Sequence, residues 1–259
     1  MGERTQYTPG TFSWTDLSTT DVDAAKAFYG GLFGWQPDDF PVGDGEVYSM
    51  QEVDGKDVAA ISRQPQQQRD AGVPPMWNSY VTVESADAAA ERAAELGATV
   101  HAGPFDVFDS GRMAVVQDPQ GAFFMVWQPK ENIGAQLVNE PGALCWNELR
   151  TTDLDAAQSF YGALFGWQFE QFEQSPEPYL IIQNQGKGNG GIGTLPEGSS
   201  APYWLVYFAC SDLDAAMSKA DELGGQKVMG PMDIGVARIA VMQDPQGAIF
   251  VLYDGELQP

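Results

Sequence analysis

Histidine occurs once in the 259 residues, as His101, and cysteine twice, as Cys145 and Cys210, with no CxxC spacing. These shortages argue against a thiolate metal cluster and a disulfide framework, and the two thiols are expected to be free and buried. Positive charge is scarce as well: 13 Lys and Arg against 36 Asp and Glu leave a formal charge of −23. With no basic cluster to neutralise phosphates, a nucleic-acid or anionic-membrane partner is not expected. No apolar run approaches the roughly 18 residues of a membrane span, and MGERTQYTPG has no apolar signal region, so the expected location is cytoplasmic. What the chain does have is 43% hydrophobic residues with aromatic side chains throughout, the composition of a folded globular protein.

The chain also contains itself twice. PGTFSWTDLSTTDVDAAKAFYGGLFGW, from Pro9, returns as PGALCWNELRTTDLDAAQSFYGALFGW, from Pro141, with 17 of 27 positions identical and no gap. WNSYVTVESADAAAERAAELG, from Trp77, parallels WLVYFACSDLDAAMSKADELG, from Trp204, and both copies close on a DPQG strand. A period this long means duplicated domains rather than a solenoid. The expected division is a first domain at 9–129, a linker at 130–140 and a second domain at 141–256.

Within each copy the pattern resolves into two similar units. FSWTDLST alternates as a strand and runs into a helix with Ala25, Phe28, Tyr29, Leu32 and Phe33 on one face, between a capping Asp21 and a stopping Gly34. Strands follow near Trp35, Val47 to Val53, and Val58 to Ile61, and then a Gln-rich loop, QPQQQRDAGVPP. The order recurs from Trp77 with a strand, the helix ADAAAERAAELG and strands near Thr99, Met113 and Phe124. The chain is therefore α+β, with four β-α-β-β-β units. The FY pairs are expected to pack each helix on its own sheet, both DPQG segments to be tight turns, and the glycine-rich NQGKGNGGIG to be a mobile hairpin or loop.

A strand opening onto D-x-D-A-A-x-x-F-Y-x-x-L-F-G-W, with a closing D-P-x-G strand, resembles the vicinal-oxygen-chelate superfamily of glyoxalases, bleomycin-resistance proteins and extradiol dioxygenases. The resemblance covers nearly the whole chain, once per copy. It implies two tandem domains with curved mixed sheets, each around a cavity. It also implies, in metal-dependent members, histidine and glutamate ligands at set positions. Those positions hold Trp14 and Trp146 on the opening strands, Asn78 and Leu205 on the strands that open the second units, and Met125 and Val251 on the closing strands. None suits a hard divalent ion, so neither metal nor cofactor is expected. His101 falls outside the pattern and reads as a strand-end residue.

Strand parity then names the cavity walls. Phe12, Trp14, Asp16 and Ser18 share one face of the first opening strand, as do Leu144, Trp146, Glu148 and Arg150 of the second. Phe123, Met125 and Trp127 share a face of one closing strand, and Ile249, Val251 and Tyr253 of the other. The candidate ligand-binding residues are Trp14, Asn78, Tyr80, Met125, Trp127, Trp146, Arg150, Tyr207, Val251 and Tyr253, and Asn78 tips the choice of functional cavity towards the first copy.

Two function classes remain open. One is a small-molecule-binding protein that sequesters a hydrophobic or aromatic metabolite or antibiotic. The other is an enzyme of the lyase, isomerase or oxygenase type with Asp16 or Glu148 as base and Arg112 or Arg238 as oxyanion stabiliser. The competing reading of each arginine is an ion pair to a neighbouring acid. Resembled single-copy proteins pair, so the fused copies suggest a monomer by intrachain pairing, with a homodimer as the alternative.

Overall fold

The computed structural model describes residues 2–43, 45–199 and 201–257. The first copy runs β1 (Phe12–Thr19), α1 (Val22–Phe33), β2 (Gln36–Gly43), β3 (Glu46–Val53), β4 (Lys56–Arg63), a five-residue helix α2 (Gln66–Asp70), β5 (Met76–Thr82), α3 (Ala86–Glu95), β6 (Thr99–Val107), β7 (Gly111–Gln117) and β8 (Phe123–Pro129). The second repeats it without the short helix: β9 (Leu144–Thr151), α4 (Leu154–Phe165), β10 (Gln168–Gln171), β11 (Tyr179–Asn184), β12 (Lys187–Thr194), β13 (Tyr203–Ala209), α5 (Leu213–Glu222), β14 (Gln226–Asp233), β15 (Ala237–Gln243) and β16 (Ile249–Gly255). The Gln-rich segment expected as loop thus includes α2. No helix among the described residues is long and apolar enough to cross a membrane.

Local chemistry accounts for the helix ends. Asp21 Oδ1 accepts from Ala24 N at 3.0 Å and Asp153 Oδ1 from Ala156 N at 2.9 Å, each satisfying a first-turn donor. Gly34 and Gly166 end α1 and α4 with φ of 76° and 74°, the left-handed cap that glycine adopts without a Cβ clash.

Each copy forms one curled eight-stranded sheet, in the orders β2-β3-β4-β1-β5-β8-β7-β6 and β10-β11-β12-β9-β13-β16-β15-β14. Within the first copy β1 pairs parallel to β4 and β5 parallel to β8, while the antiparallel pairing of β1 with β5 joins its two units. The second copy uses the same pairings. Helices cover one face, and the opposite face of each sheet forms a helix-free trough.

The hydrophobic cores do not follow the repeat. Phe28, Tyr29 and Trp35 of the first copy share a core with Phe208, Phe250 and Leu252 of the second. Phe160, Tyr161 and Trp167 of the second share one with Val81, Phe124 and Val126 of the first. The FY helices, expected on their own sheets, therefore also pack across the copies. Each closing Asp completes the junction. Asp244 Oδ1 accepts from the amides of Gln246, Gly247 and Ala248 at 2.8–2.9 Å, shaping its turn, while Oδ2 accepts from Tyr29 of the other copy at 3.0 Å. Trp77 Nε1 donates to the same Tyr29 hydroxyl at 2.9 Å. The mirror set is Asp118, Tyr161 at 2.8 Å and Trp204 at 3.1 Å. Trp35 and Trp167 donate their indole N–H to Gly142 O and Gly10 O, again across the copies.

Residues 130–140, expected as a linker, are built into the fold. Ala135 N donates to Ser13 O and Gln136 N to Asp57 O, both at 2.7 Å, and Tyr7 donates to Ala135 O at 2.6 Å. Gly134 lies so close to this path that a Cβ would sit 2.4 Å from Ser13 O, at φ +105°.

Replacing Tyr29 by Phe strips Asp244 Oδ2 and the Trp77 indole of a buried partner and is expected to destabilise the chain by about 1–3 kcal/mol. Tyr161→Phe should do the same, and the double variant should lose close to the sum. Urea midpoints of the three variants check this; unchanged midpoints would show that the hydroxyls bear no load.

Candidate functional site

Register places one carboxylate at the centre of each trough. Asp16 lies between Asn78 on β5 and Ala60 on β4, and Glu148 between Leu205 on β13 and Gly191 on β12. Both are almost fully buried.

Asp16 is held by neutral donors. Asn78 Nδ2 donates to Oδ1 at 2.7 Å, and the hydroxyls of Tyr80 and Tyr48 donate to Oδ2 at 2.7 and 3.2 Å. Trp14 Nε1 donates to the Tyr48 hydroxyl at 3.0 Å. Burial pushes the Asp16 pKa up, opposed by the hydrogen bonds from Asn78, Tyr80 and Tyr48. The same burial, with the carboxylate alongside, pushes both tyrosines well up, so they remain protonated donors.

Glu148 has the same arrangement with one partner exchanged. Tyr179 and Tyr207 donate to Oε2, both at 2.8 Å, and Trp146 Nε1 donates to Tyr179 at 3.1 Å. Against Oε1, however, lies Arg150 Nε in a salt bridge, where the first copy uses Asn78. Leu205 takes the place of Asn78 and Ser18 that of Arg150.

The glycine-rich segment explains how the second carboxylate is covered. It forms the turn of the β11–β12 hairpin and most of strand β12, and the missing side chains of that strand make room. A Cβ on Gly191 would stand 1.9 Å from the Tyr179 hydroxyl, and one on Gly193 would stand 2.8 Å from Arg150 Nη1. In the first copy Ala60 occupies the place of Gly191 in the pairing with the opening strand.

Several expected site residues lie elsewhere. Arg112 bonds Asp87 through Nε at 2.7 Å and Nη2 at 2.9 Å, with Asp106 at 3.4 Å, and Arg238 clasps Asp214 twice at 3.0 Å. Both pair with the first-turn acid of a helix, and their neighbours Met113 and Ile239 are the residues in register with Trp127 and Tyr253. Strand alternation therefore turns both arginines to the helix side, and neither forms the acid–arginine pair expected with Asp16 or Glu148. Phe12 also leaves the trough, because the register shifts between Phe12 and Trp14; it packs 5.4 Å from Trp167 and 4.9 Å from Trp204 at the copy junction. A matching shift opposite Tyr207 and Phe208 turns Leu144 into the junction core.

Met125 shares the trough face with Tyr80 by register, and Val251 with Tyr207. Trp127 lies two residues further and donates its indole N–H to Asn132 O at 2.9 Å, tying down residues 130–140. Tyr253 is half-buried and donates to Glu256 O. Sequence pattern alone does not single out Tyr48 and Tyr179, although both fall on the second strand of a hairpin, 32 and 31 residues beyond the central acid. The expected enclosed cavity is instead a trough floored by its own side chains: Trp14, Tyr80, Met125 and Trp127 are each 5–8% exposed. The second trough is more open, since Trp146, Arg150, Tyr179, Tyr203 and Tyr253 are only half-buried. Two depressions of the surface lie elsewhere, beside Lys56 and Leu137 and beside Leu154 and Leu180.

The remaining candidates are quiet. His101 meets Gln117 Oε1 at 2.9 Å and the Phe123 ring at an exposed strand end. Cys145 and Cys210 are half-buried and contact the carbonyls of Tyr207 and Tyr253, and burial pushes the Cys210 thiol up to about 12. Metal chemistry does not fit either trough. The groups around each acid are hydroxyl, amide, indole and guanidinium donors, which supply hydrogens where a cation needs lone pairs, and no three His, Cys, Asp or Glu among the described residues gather into a ligand set.

Four β-α-β-β-β units, paired into two curled sheets with an acid on each helix-free face, define a tandem vicinal-oxygen-chelate fold. Family models agree: the Glyoxalase/Bleomycin resistance protein/Dioxygenase superfamily matches residues 11–126 and the glyoxalase-like domain matches 145–253. The candidate glyoxylase CFP32 of Mycobacterium tuberculosis is 44% identical over 253 residues, covering 96% of this chain and 97% of that protein. The anthracycline biosynthesis protein DauV of a Streptomyces species is 35% identical over 262 residues, covering 95% and 94%. The chain belongs to the glyoxalase/bleomycin-resistance/dioxygenase superfamily. Among solved structures it resembles the Mn(II)-bound glyoxalase of Novosphingobium aromaticivorans, with TM-score 0.65, 16% identity and coverage of 96% and 83%. It likewise resembles the homoprotocatechuate 2,3-dioxygenase of B. fuscum, with TM-score 0.68, 14% identity and coverage of 98% and 74%.

A carboxyl with a raised pKa in the fold binds its proton more tightly there than in the unfolded chain. Its contribution to stability is therefore greatest at low pH and fades as pH rises through the folded pKa. Asp16→Asn removes that slope, so its stability relative to the parent should rise from acidic to neutral pH. Urea titrations at the two ends measure this; a constant difference would contradict the raised pKa.

Proposed function

We propose that this protein binds a flat aromatic small molecule on the helix-free faces of its sheets, chiefly in the second trough. The observation that carries this reading is the repeated set of a buried acid, two tyrosine hydroxyls and a tryptophan indole, with aromatic surface left half-exposed around it in the second copy. Rigid rings provide large contact area with little loss of rotamer freedom, and a few fixed polar groups set a ligand's orientation. Trp146, Tyr179, Tyr203 and Tyr253 supply the rings, and Arg150 the polar group. The relationship to a protein of anthracycline biosynthesis supports a planar, polycyclic ligand, and the chemistry of the trough residues supports binding that needs no metal.

Titration with planar polycyclic compounds in the presence of a chelator, followed by tryptophan emission and thermal melting, tests this. Saturable quenching is expected, with stabilisation of about 2.7 kcal/mol at a ligand concentration one hundred times Kd. Trp146→Ala should weaken binding by about tenfold. A panel that produces neither quenching nor a melting shift overturns the reading.

One observation favours a second reading, an enzyme of the lyase, isomerase or oxygenase type: Glu148 and Arg150 are an acid–arginine pair inside a trough. Glu148 would then be the base and Arg150 the stabiliser of a developing oxyanion. Glu148→Gln keeps the shape and removes the base, so turnover of any bound compound should fall by about a hundredfold or more while binding persists. Turnover unchanged in that variant ends the catalytic reading.

A further inference from the structure

The two troughs treat their central carboxylates alike at one oxygen and differently at the other. Asp16 Oδ2 and Glu148 Oε2 each accept two tyrosine hydroxyls. Asp16 Oδ1 receives the neutral Asn78 amide, whereas Glu148 Oε1 faces the Arg150 guanidinium. The first trough thus keeps a carboxylate with no cation among its hydrogen-bond partners, while the second holds a charge pair.

Arg150 has donors to spare. Its Nε lies against Glu148 Oε1 and its Nη1 donates to Thr194 O at 3.3 Å, and no hydrogen bond among the described residues is made by Nη2. The side chain is 24% exposed, so it reaches from the buried acid to the trough opening. Tyr203 is its register partner on β13, Tyr179 and Tyr207 lie close enough to influence its charge, and Gly193 leaves the room it occupies. A guanidinium held at Nε and Nη1 keeps the Nη2 hydrogens in a fixed place, as donors to whatever lies across those rings.

We infer that Arg150 makes the second trough selective for a flat aromatic compound bearing a carbonyl oxygen, which Nη2 recognises, while the first trough has no such preference. This rests on the small-molecule reading above. A neutral carbonyl is favoured over a carboxylate because the guanidinium charge is already balanced by Glu148, and a chain of net charge −23 repels an added anion. The position of Arg150 is held by Ser18 in the first copy, whose hydroxyl is too short to make the same reach.

The experiment compares 9-fluorenone with fluorene, two planar molecules differing in one carbonyl, by tryptophan quenching and calorimetry. The intact chain should bind fluorenone about tenfold more tightly, the value of one charge-assisted hydrogen bond. Arg150→Met alone would leave Glu148 buried and unpaired, so Glu148→Gln is combined with it. Arg150→Lys serves as a second variant that keeps a cation beside Glu148 but lacks Nη2. In both, the ratio of fluorenone to fluorene affinity should fall to about one, whereas Asp16→Asn should retain the preference. A preference that survives both Arg150 variants, or fluorene and fluorenone binding the parent equally, overturns the inference and leaves the binding reading intact. If neither compound nor any other planar probe binds, both fall together.

Discussion

The aspartate of each DPQG turn is the constraint on which the rest of this molecule depends. One carboxylate oxygen collects three amides of its own turn, and the other reaches a tyrosine of the opposite copy, which in turn receives a tryptophan indole. Because the arrangement occurs twice, each copy lends a tyrosine and a tryptophan to the other and borrows an aspartate. A buried carboxylate, hydroxyl and indole are each costly when unpaired, so the register of one copy against the other is set by groups that have no other place to go. Two aromatic cores, each containing residues from both copies, then close around these bonds. The repeat unit of the sequence is therefore not the packing unit of the structure.

That junction holds the helix side of both sheets and leaves their other faces to vary. The troughs keep a common frame of acid, two tyrosines and tryptophan, and the acid must be held because burial without partners would neutralise it. Evolution of the two copies has found different fourth partners: an amide from the neighbouring strand in one, a guanidinium from the same strand in the other. This exchange carries a change of volume with it. Where the guanidinium lies, the adjacent strand is stripped to glycines, and where the amide lies, alanine suffices. The same superfamily frame that elsewhere surrounds a cation here surrounds hydrogen-bond donors.

Much of this is legible in the sequence. The helices α1, α3, α4 and α5 follow from apolar spacing between a capping Asp or Ser and a left-handed glycine or a polar turn, and the strands of each unit follow from alternation broken by Asp-Gly and Pro signals. Trp14, Asp16, Asn78 and Tyr80 could be placed near one another because period-two alternation survives along β1 and β5. Alternation failed where the ladder slips: at Phe12 and Leu144 a register shift turned a side chain to the other face, and no residue type announces it. Arg112 and Arg238 escape sequence pattern for a related reason. A family position says which strand an arginine is on, but a helix-borne aspartate 24–25 residues away decides what it holds. Glycine is permissive in isolation, whereas at Gly191 and Gly193 in the sheet its part is to leave space.

Composition, duplication and hydropathy period by themselves determined the α+β class, the four units, the helix ends and the unsuitability of the familiar ligand positions for a divalent ion. These are properties of single segments, set by backbone preference and side-chain chemistry that a linear string displays. The tertiary structure alone decided that Tyr48 and Tyr179 complete the acid sites, that the copies exchange core residues, and that Arg150 rather than Arg112 or Arg238 meets a buried carboxylate. Each of those depends on which distant strands become neighbours and in what register, and a hydrogen bond is short and directional enough that a slip of one residue abolishes it.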